Sequence, residues 1–271
     1  MAESLSTSGK GLFRLSLVIR EAGGLVSIDD VSATLGLNRI DAAKLLSRWQ
    51  KQGWVKRLRR GVYAPVPLTA FGQEQVLEDP WIMIPELFGP AYVGGWSAAE
   101  HWGLTEQLFR GICIFTAKSV RNRELVVQGT PFVLKHVRPD AIFGTRAVWR
   151  DSTRILVSDP ARTLVDMLDD PATGGGIRHV TDCLTEYLAL PDEKPENLLM
   201  TAGKLGNGAV FKRLGFLLEH LKADLELIAS CKERLTKGNT TLDPALPCDR
   251  LVRRWRIWIP ASWTGKGRGR D

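Results

Sequence analysis

The segment NRIDAAKLLSRWQKQGWVKRLRRGVYA, residues 38–64, decides the fold of the first part of the chain. Four of its apolar residues follow the i, i+3, i+4, i+7 spacing of a helix face, namely Ala42, Leu45, Leu46 and Trp49. Asn38 can cap this helix, because a side-chain oxygen at the N-cap accepts an otherwise unpaired backbone N–H. The pattern predicts a helix from Asn38 to about Lys51.

Two short stretches after Gly53 predict a β-hairpin. The strands would cover residues 54–58 and 61–64, with Arg59, Arg60 and Gly61 in the turn. Gly61 can supply the positive φ angle that a tight hairpin requires.

Two more helices are predicted ahead of this segment, over residues 11–21 and 27–35. Ser27 and Asp30 have the spacing of a capping box at the start of the second helix. Three helices followed by a hairpin predict a winged helix-turn-helix domain over residues 1–66.

Basic residues are concentrated in the third helix and the hairpin. Between residues 39 and 60 there is one acid, Asp41, against eight cations: Arg39, Lys44, Arg48, Lys51, Lys56, Arg57, Arg59 and Arg60. The whole chain has a net charge of +7. Clustered cations favour a polyanionic partner, and the major groove of duplex DNA accepts one α-helix. We therefore expect double-stranded operator DNA as the partner of this domain.

Each residue of the expected DNA-binding surface has a predicted role. Residues near the start of the third helix approach base edges, which indicates Asn38, Arg39 and Ala43. Further along the helix, Lys44, Ser47 and Arg48 are better placed for phosphates. The hairpin is the wing, with Lys56, Arg57, Arg59 and Arg60 along the backbone or the minor groove. The alternative is a solvated basic surface on a winged helix that binds protein instead.

The remaining chain predicts a linker at 67–79, a larger mixed α/β domain at 80–263 and a Gly- and Arg-rich disordered tail at 264–271. The overall fold class is α+β. Apolar runs predict strands at 112–116, 125–127, 132–136, 147–149 and 155–157. Asp159 followed by Pro160 predicts a helix start, since Pro at the first helical position has no donor to lose. We also expect a capping box at Ser97 and Glu100, a solvated Lys212-Arg213 face on a helix at 209–222, and an amphipathic strand at 253–258.

Several classes of function are not favoured by the sequence. The four cysteines and four histidines are scattered, so we expect no metal site and no cofactor. No apolar stretch has the length of a membrane span, and residues 1–11 do not resemble a secretion signal, so we expect a cytoplasmic protein without a membrane partner. Gly174 to Gly176 could cradle a phosphate, but no nucleotide-binding motif surrounds them.

Catalysis is not expected either. Asp151, Asp159 and Asp166 could suggest a metal-dependent nuclease, but Asp159 is assigned to a helix cap and Asp166 lies within the same helix. The sequence therefore favours a protein that is not an enzyme.

Beyond these patterns, the chain resembles the AbiEi antitoxins of abortive-infection toxin–antitoxin operons. Motifs that carry the resemblance occur in order along the chain: RRGVY at 59–63, YVGGWSAAEHWGLT at 92–105, SDPARTLVD at 158–166, GGGI at 174–177, KRLGFLLE at 212–219 and RWR at 254–256. The extension after Trp263 departs from the family pattern.

The resemblance implies a winged helix that represses its own operon at inverted repeats. It also implies a C-terminal domain that counteracts a nucleotidyltransferase-like toxin encoded next door, in the type IV manner, without a stable complex. In that domain Arg162, Asp166, Lys212 and Arg213 are candidates for antitoxicity, because they are charged residues inside the motifs. A monomer in solution that binds DNA cooperatively is compatible with this interpretation.

Two alternatives remain open at this stage. One is a stand-alone winged-helix repressor whose larger domain binds a ligand or serves oligomerisation. The other is a nuclease that the winged helix directs to DNA.

Overall fold

The computed structural model describes residues 7–66, 79–150 and 152–263. They form two compact units. The first extends to Gly89 and includes Val126–Pro131 and Ala147–Ile155. The second contains Pro90–Leu125, Phe132–Arg146 and the chain from Leu156 onward. The predicted linker at 67–79, except Asp79, and the tail at 264–271 lie outside the described residues, so the domain boundaries stay predictions.

The first unit begins with a winged helix-turn-helix fold, as the sequence predicts. Its elements are α1 (Thr7–Ala22), β1 (Val26–Ser27), α2 (Ile28–Leu35), α3 (Arg39–Lys51), β2 (Val55–Arg59) and β3 (Val62–Pro65). The strands form an antiparallel sheet in the order β1-β3-β2. Strand β1 was not predicted. It consists of two residues and owes its existence to pairing with Tyr63 and Val62, far along the chain.

Local signals explain the helix ends of this unit. Ser27 and Asp30 form the predicted capping box, each side chain accepting from the other residue's backbone N–H. Gly36 ends α2 in the left-handed conformation, at φ 63°. The helices pack around a core that includes Val18, Val31, Leu46 and Trp49. After the sheet, a 3-10 helix (Pro80–Met83) leads into α4 (Ile84–Phe88).

A six-stranded mixed sheet follows. Its strands are β4 (Ala91–Val93), β5 (Ile112–Thr116), β6 (Glu124–Val127), β7 (Thr130–His136), β8 (Thr145–Arg150) and β9 (Thr153–Ser158). The strand order is β6-β7-β5-β4-β9-β8, with β5 parallel to β7 and β4 parallel to β9. Strand β4, like β1, was not predicted.

The second unit adds helices and a small sheet. The helices are α5 (Gly95–His101), α6 (Pro160–Asp169), α7 (Ile177–Ala189), α8 (Glu196–Leu205), α9 (Gly208–His220) and α10 (Leu225–Glu233). The small sheet contains β10 (Thr240–Thr241), β11 (Arg250–Val252) and β12 (Ile257–Ile259) in the order β10-β12-β11. Helices α6, α7 and α9 supply much of one large core. None of the described helices is long and apolar enough to cross a membrane.

Three expectations for this unit are wrong. Helix α5 begins after Gly94, and Ser97 lies inside it, where its hydroxyl accepts a hydrogen bond from Cys113 N at 2.9 Å. Lys212 and Arg213 are buried, because α9 is covered on nearly every side. The predicted strand at 253–258 begins at Ile257. A 3-10 helix (Arg253–Trp255) precedes it, and Arg256 takes the left-handed conformation.

Candidate nucleic-acid interface

Helix α3 presents one face to the core and the other to solvent. Ala42, Leu46 and Trp49 are buried, and Leu45 is partly buried. The opposite face carries the predicted contact residues. Ala43 is half-buried, while the exposed members are Asn38, Arg39, Lys44, Ser47 and Arg48. This is the division that a helix needs in order to dock on its own domain and enter a groove.

Asn38 is occupied as a helix cap. Its Oδ1 accepts from Asp41 N at 2.9 Å, and its Nδ2 donates to the Asp41 carboxylate at 2.8 Å. The side chain thus satisfies an N–H at the start of α3. A contact between Asn38 and a base edge would have to replace the bond to the carboxylate.

Two cations of α3 have acidic partners. Arg39 pairs with Asp29 of α2, and Lys44 lies 3.4 Å from Asp41. All four side chains are more than half exposed. Ion pairs at such exposure contribute little to stability, so DNA phosphates can compete for the cations.

The wing is the β2–β3 hairpin with its loop at Arg60 and Gly61. The pairing register shifts between Arg57 and Arg59, and Gly61 has φ 84°. Arg57 Nε donates to the Arg59 carbonyl at 3.3 Å. Lys56, Arg57, Arg59 and Arg60 are all exposed. The hairpin therefore carries four cations on a short, bulged projection.

Arg59 differs from the other wing cations because it pairs with an acid of α4. Its guanidinium donates to the Glu86 carboxylate and lies 3.5 Å from the Glu86 carbonyl. Both side chains keep more than two fifths of their surface exposed. The sequence could not indicate this pair, since 27 residues separate its members.

Ile40 is a candidate that the sequence patterns did not single out. It lies in the first turn of α3 and is 70% exposed. Apolar side chains in the major groove contact the methyl group of thymine. The sequence could have indicated Ile40, because this isoleucine lies beside Arg39 and outside the apolar stripe of Ala42, Leu46 and Trp49.

In the second unit, the Arg162 and Asp166 side chains form a buried network with Tyr92. Arg162 Nε donates to Asp166 at 3.0 Å, and the Tyr92 hydroxyl donates to the same carboxylate at 2.9 Å. Arg162 also stacks on Phe143, with 4.1 Å between guanidinium and ring centre. Burial raises the pKa of Asp166 and of Tyr92. Burial would lower the pKa of Arg162, but the attraction of Asp166 and Tyr92 raises it.

Lys212 and Arg213 bind backbone carbonyl groups. Lys212 Nζ donates to the Gly238 carbonyl at 2.9 Å, and Arg213 donates to the carbonyls of Leu168 and Thr241 at 2.7 and 3.0 Å. Burial lowers the pKa of both side chains. The antitoxicity role predicted for Arg162, Asp166, Lys212 and Arg213 stays a prediction, and their burial assigns them a part in holding the fold.

The positions considered for phosphate or metal chemistry have structural partners. Asp243 accepts from Ile177 N at 2.9 Å, so a carboxylate occupies the helix start behind Gly174–Gly176. Asp159 caps α6 by accepting from Arg162 N at 2.7 Å, as predicted. Asp151 lies outside the described residues. Within residues 7–66, 79–150 and 152–263, no cluster of three His, Cys, Asp or Glu side chains could hold a metal ion.

These features define the class of the first unit, a winged helix-turn-helix domain with a basic third helix and a basic wing. Residues 8–66 match the family model AbiEi_4, described as "Transcriptional regulator, AbiEi antitoxin". This match confirms the resemblance expected from the sequence for residues 8–66.

One solved structure extends the comparison to most of the chain. The RV2827C protein from Mycobacterium tuberculosis is 17% identical, with a TM-score of 0.64 over 95% of this chain and 93% of that one. At this identity the similarity concerns the fold. No curated protein matches the chain.

Proposed function

We propose that this protein is a non-enzymatic antitoxin and autorepressor, whose winged helix binds the operator of its own operon. The observation that carries the proposal is the joint exposure of the α3 cations and the wing cations on a domain of a transcriptional-regulator family. A helix and a wing with cations on both match the groove and the flanking phosphates of duplex DNA.

Within this proposal the residues divide into two groups. The residues that face base edges lie near the start of α3 and are Arg39, Ile40 and Ala43. Asn38 joins them when a base replaces the Asp41 carboxylate as the acceptor of its amide group. The residues that bind phosphates are Lys44, Ser47, Arg48, Lys56, Arg57, Arg59 and Arg60. Removing a phosphate-binding side chain weakens binding to all sequences alike, whereas removing a base-reading side chain relaxes specificity at one position.

The antitoxin half of the proposal rests on the family description of the N-terminal segment. We propose a nucleotidyltransferase-like toxin, encoded by the adjacent gene, as the functional partner. Neutralisation proceeds without a stable complex, and repression acts at inverted repeats that two copies occupy cooperatively. The second unit supplies antitoxicity, and its buried Arg162, Asp166, Lys212 and Arg213 contribute by maintaining the fold.

Two assays test the repressor and antitoxin parts of the proposal. One uses a reporter fused to the protein's own promoter, and the other uses co-expression with the toxin. The double variant Arg39→Ala and Lys44→Ala should lose repression and still protect cells from the toxin. Toxin and antitoxin should elute separately on a sizing column. Full repression by the double variant would refute the DNA site, and a co-eluting complex would refute neutralisation without stable binding.

A further inference from the structure

The C-terminal part of the second unit has a second concentration of positive charge. Between residues 232 and 258 there are seven cations and three acids, and one of those acids, Asp243, is buried. The exposed cations are Lys232, Arg234, Lys237, Arg250, Arg253, Arg254 and Arg256.

Several of these cations converge on one loop, residues 234–238. Arg256 donates to the Thr236 carbonyl at 2.8 Å, and the buried Lys212 donates to the Gly238 carbonyl at 2.9 Å. Arg234 and Lys237 belong to the loop itself. The proximity of Arg256 adds to burial in lowering the pKa of Lys212, which indicates a crowded positive environment.

Most of these charges have no acidic partner. Arg254 pairs with Glu219, but in the part of the chain that the structure describes Lys212, Arg234, Lys237, Arg253 and Arg256 form no ion pair. A cluster of cations that no carboxylate neutralises has an unused capacity to bind anions.

An exposed aromatic side chain lies on β12, two residues after Arg256. Trp258 is 36% exposed on β12, between the buried Ile257 and Ile259. The strand register places Thr241 and Leu251 opposite Trp258. Arg253 directly follows Val252, which pairs with Ile257, the residue before Trp258.

We propose that Arg234, Lys237, Arg253, Arg256 and Trp258 form a second nucleic-acid site, which we call the β12 surface, and that its ligand is single-stranded. Cations beside an aromatic ring suit a strand whose phosphates are neutralised while an unpaired base stacks on the ring. A duplex cannot supply that base without unstacking. This site is separate from the winged helix and adds a ligand class that the proposed function does not include.

The test uses the full chain with Arg39→Ala and Lys44→Ala, which weakens the winged helix, and compares every further variant with this parent. Binding of a short fluorescent oligothymidylate is followed by anisotropy over a range of salt concentrations. Replacing Trp258 with Ala or Leu should weaken binding about tenfold without changing the salt slope, and Trp258→Phe should retain most affinity. Lys237→Ala and Arg253→Ala should each reduce the slope by about 0.7.

Matched controls are Trp149→Ala, since Trp149 is a 62% exposed tryptophan of β8, and Arg178→Ala, an exposed cation of α7. Trp258→Leu keeps an apolar side chain at the position, so weaker binding by that variant reports the aromatic ring rather than folding. Equal affinities for the Trp258→Leu and Trp149→Ala proteins would overturn the proposal. So would a duplex that binds as tightly as the single strand.

Discussion

The Arg59 guanidinium at the wing donates a hydrogen bond to the Glu86 carboxylate of α4. A cation proposed to meet a phosphate is thus paired with an acid in the free protein. Arg39 with Asp29 and Lys44 with Asp41 repeat the arrangement on α3. In the proposed complex with DNA, Arg59 and Lys44 exchange their carboxylates for phosphates, and Arg39 exchanges Asp29 for a base edge.

Replacing Glu86 with Gln should therefore tighten operator binding at low salt. An exposed ion pair contributes up to about 1 kcal/mol, so the expected gain is up to about fivefold. Fluorescence anisotropy with operator DNA measures it. Glu21→Gln is the matched control, because it removes the same charge from an exposed acid of α1. Equal gains in both variants would attribute the effect to net charge alone.

Ile40→Ala should relax operator specificity. The side chain is 70% exposed, so its removal should leave the thermal midpoint nearly unchanged. Without its apolar packing on a thymine methyl group in the major groove, discrimination at one base position should fall by about 1 kcal/mol. Binding to a set of operators with single base changes detects this effect. Uniform weakening on every operator would instead indicate that Ile40 reads no base.

Asp166→Asn should strongly destabilise the second unit. The change leaves the fully buried Arg162 without a counterion, and breaking a buried ion pair costs about 3–5 kcal/mol. Tyr92→Phe removes the hydrogen bond donated to the same carboxylate and the one accepted from Arg162, and should cost about 1–3 kcal/mol. Urea unfolding measures both. Asp140→Asn, in an exposed pair with Arg138, should cost no more than about 1 kcal/mol.

The stability of the second unit should fall in acid partly because of Asp169. Burial would raise the pKa of Asp169, but Lys135 at 2.7 Å and Asn207 lower it below its ordinary value. The depressed pKa means that the stabilisation is complete above the unfolded-state pKa of about 3.9 and is lost as the pH falls further.

Free energies of unfolding measured between about pH 6 and about pH 2 test this prediction. In Asp169→Asn the free energy of unfolding should fall less steeply at low pH, because an amide does not titrate. Asp140→Asn serves as the control. An unchanged slope in Asp169→Asn would contradict the assigned effect of Lys135.

Sequence patterns predicted most of the winged helix because its signals are local. As predicted, Ser27 caps α2 in a capping box with Asp30, and Asn38 caps α3. The apolar stripe from Ala42 to Trp49 faces the core. Strands β1 and β4 have two and three residues, too short for any periodicity to reveal them.

The residues whose burial or pairing the sequence did not indicate have partners that are far away along the chain. Lys212 and Arg213 were expected in solvent because charged side chains are seldom buried, yet each finds backbone carbonyls from segments about 25 to 45 residues away. The pairing of Arg59 with Glu86 is likewise a product of the fold. The apolar Ile40 was visible in the sequence, but its exposure became evident only once the buried face of α3 was known.

The most direct test of the central claim is the salt dependence of operator binding by the Arg39→Ala and Lys44→Ala double variant. Its matched control is Lys10→Ala with Arg14→Ala, which removes two exposed cations from α1. We predict no measurable binding by the α3 variant at moderate salt and, at lower salt where binding is measurable, a slope reduced by about 0.9 for the phosphate that Lys44 no longer neutralises. The control should bind as the unaltered protein does. Undiminished affinity and an unchanged slope in the α3 variant would contradict the claim.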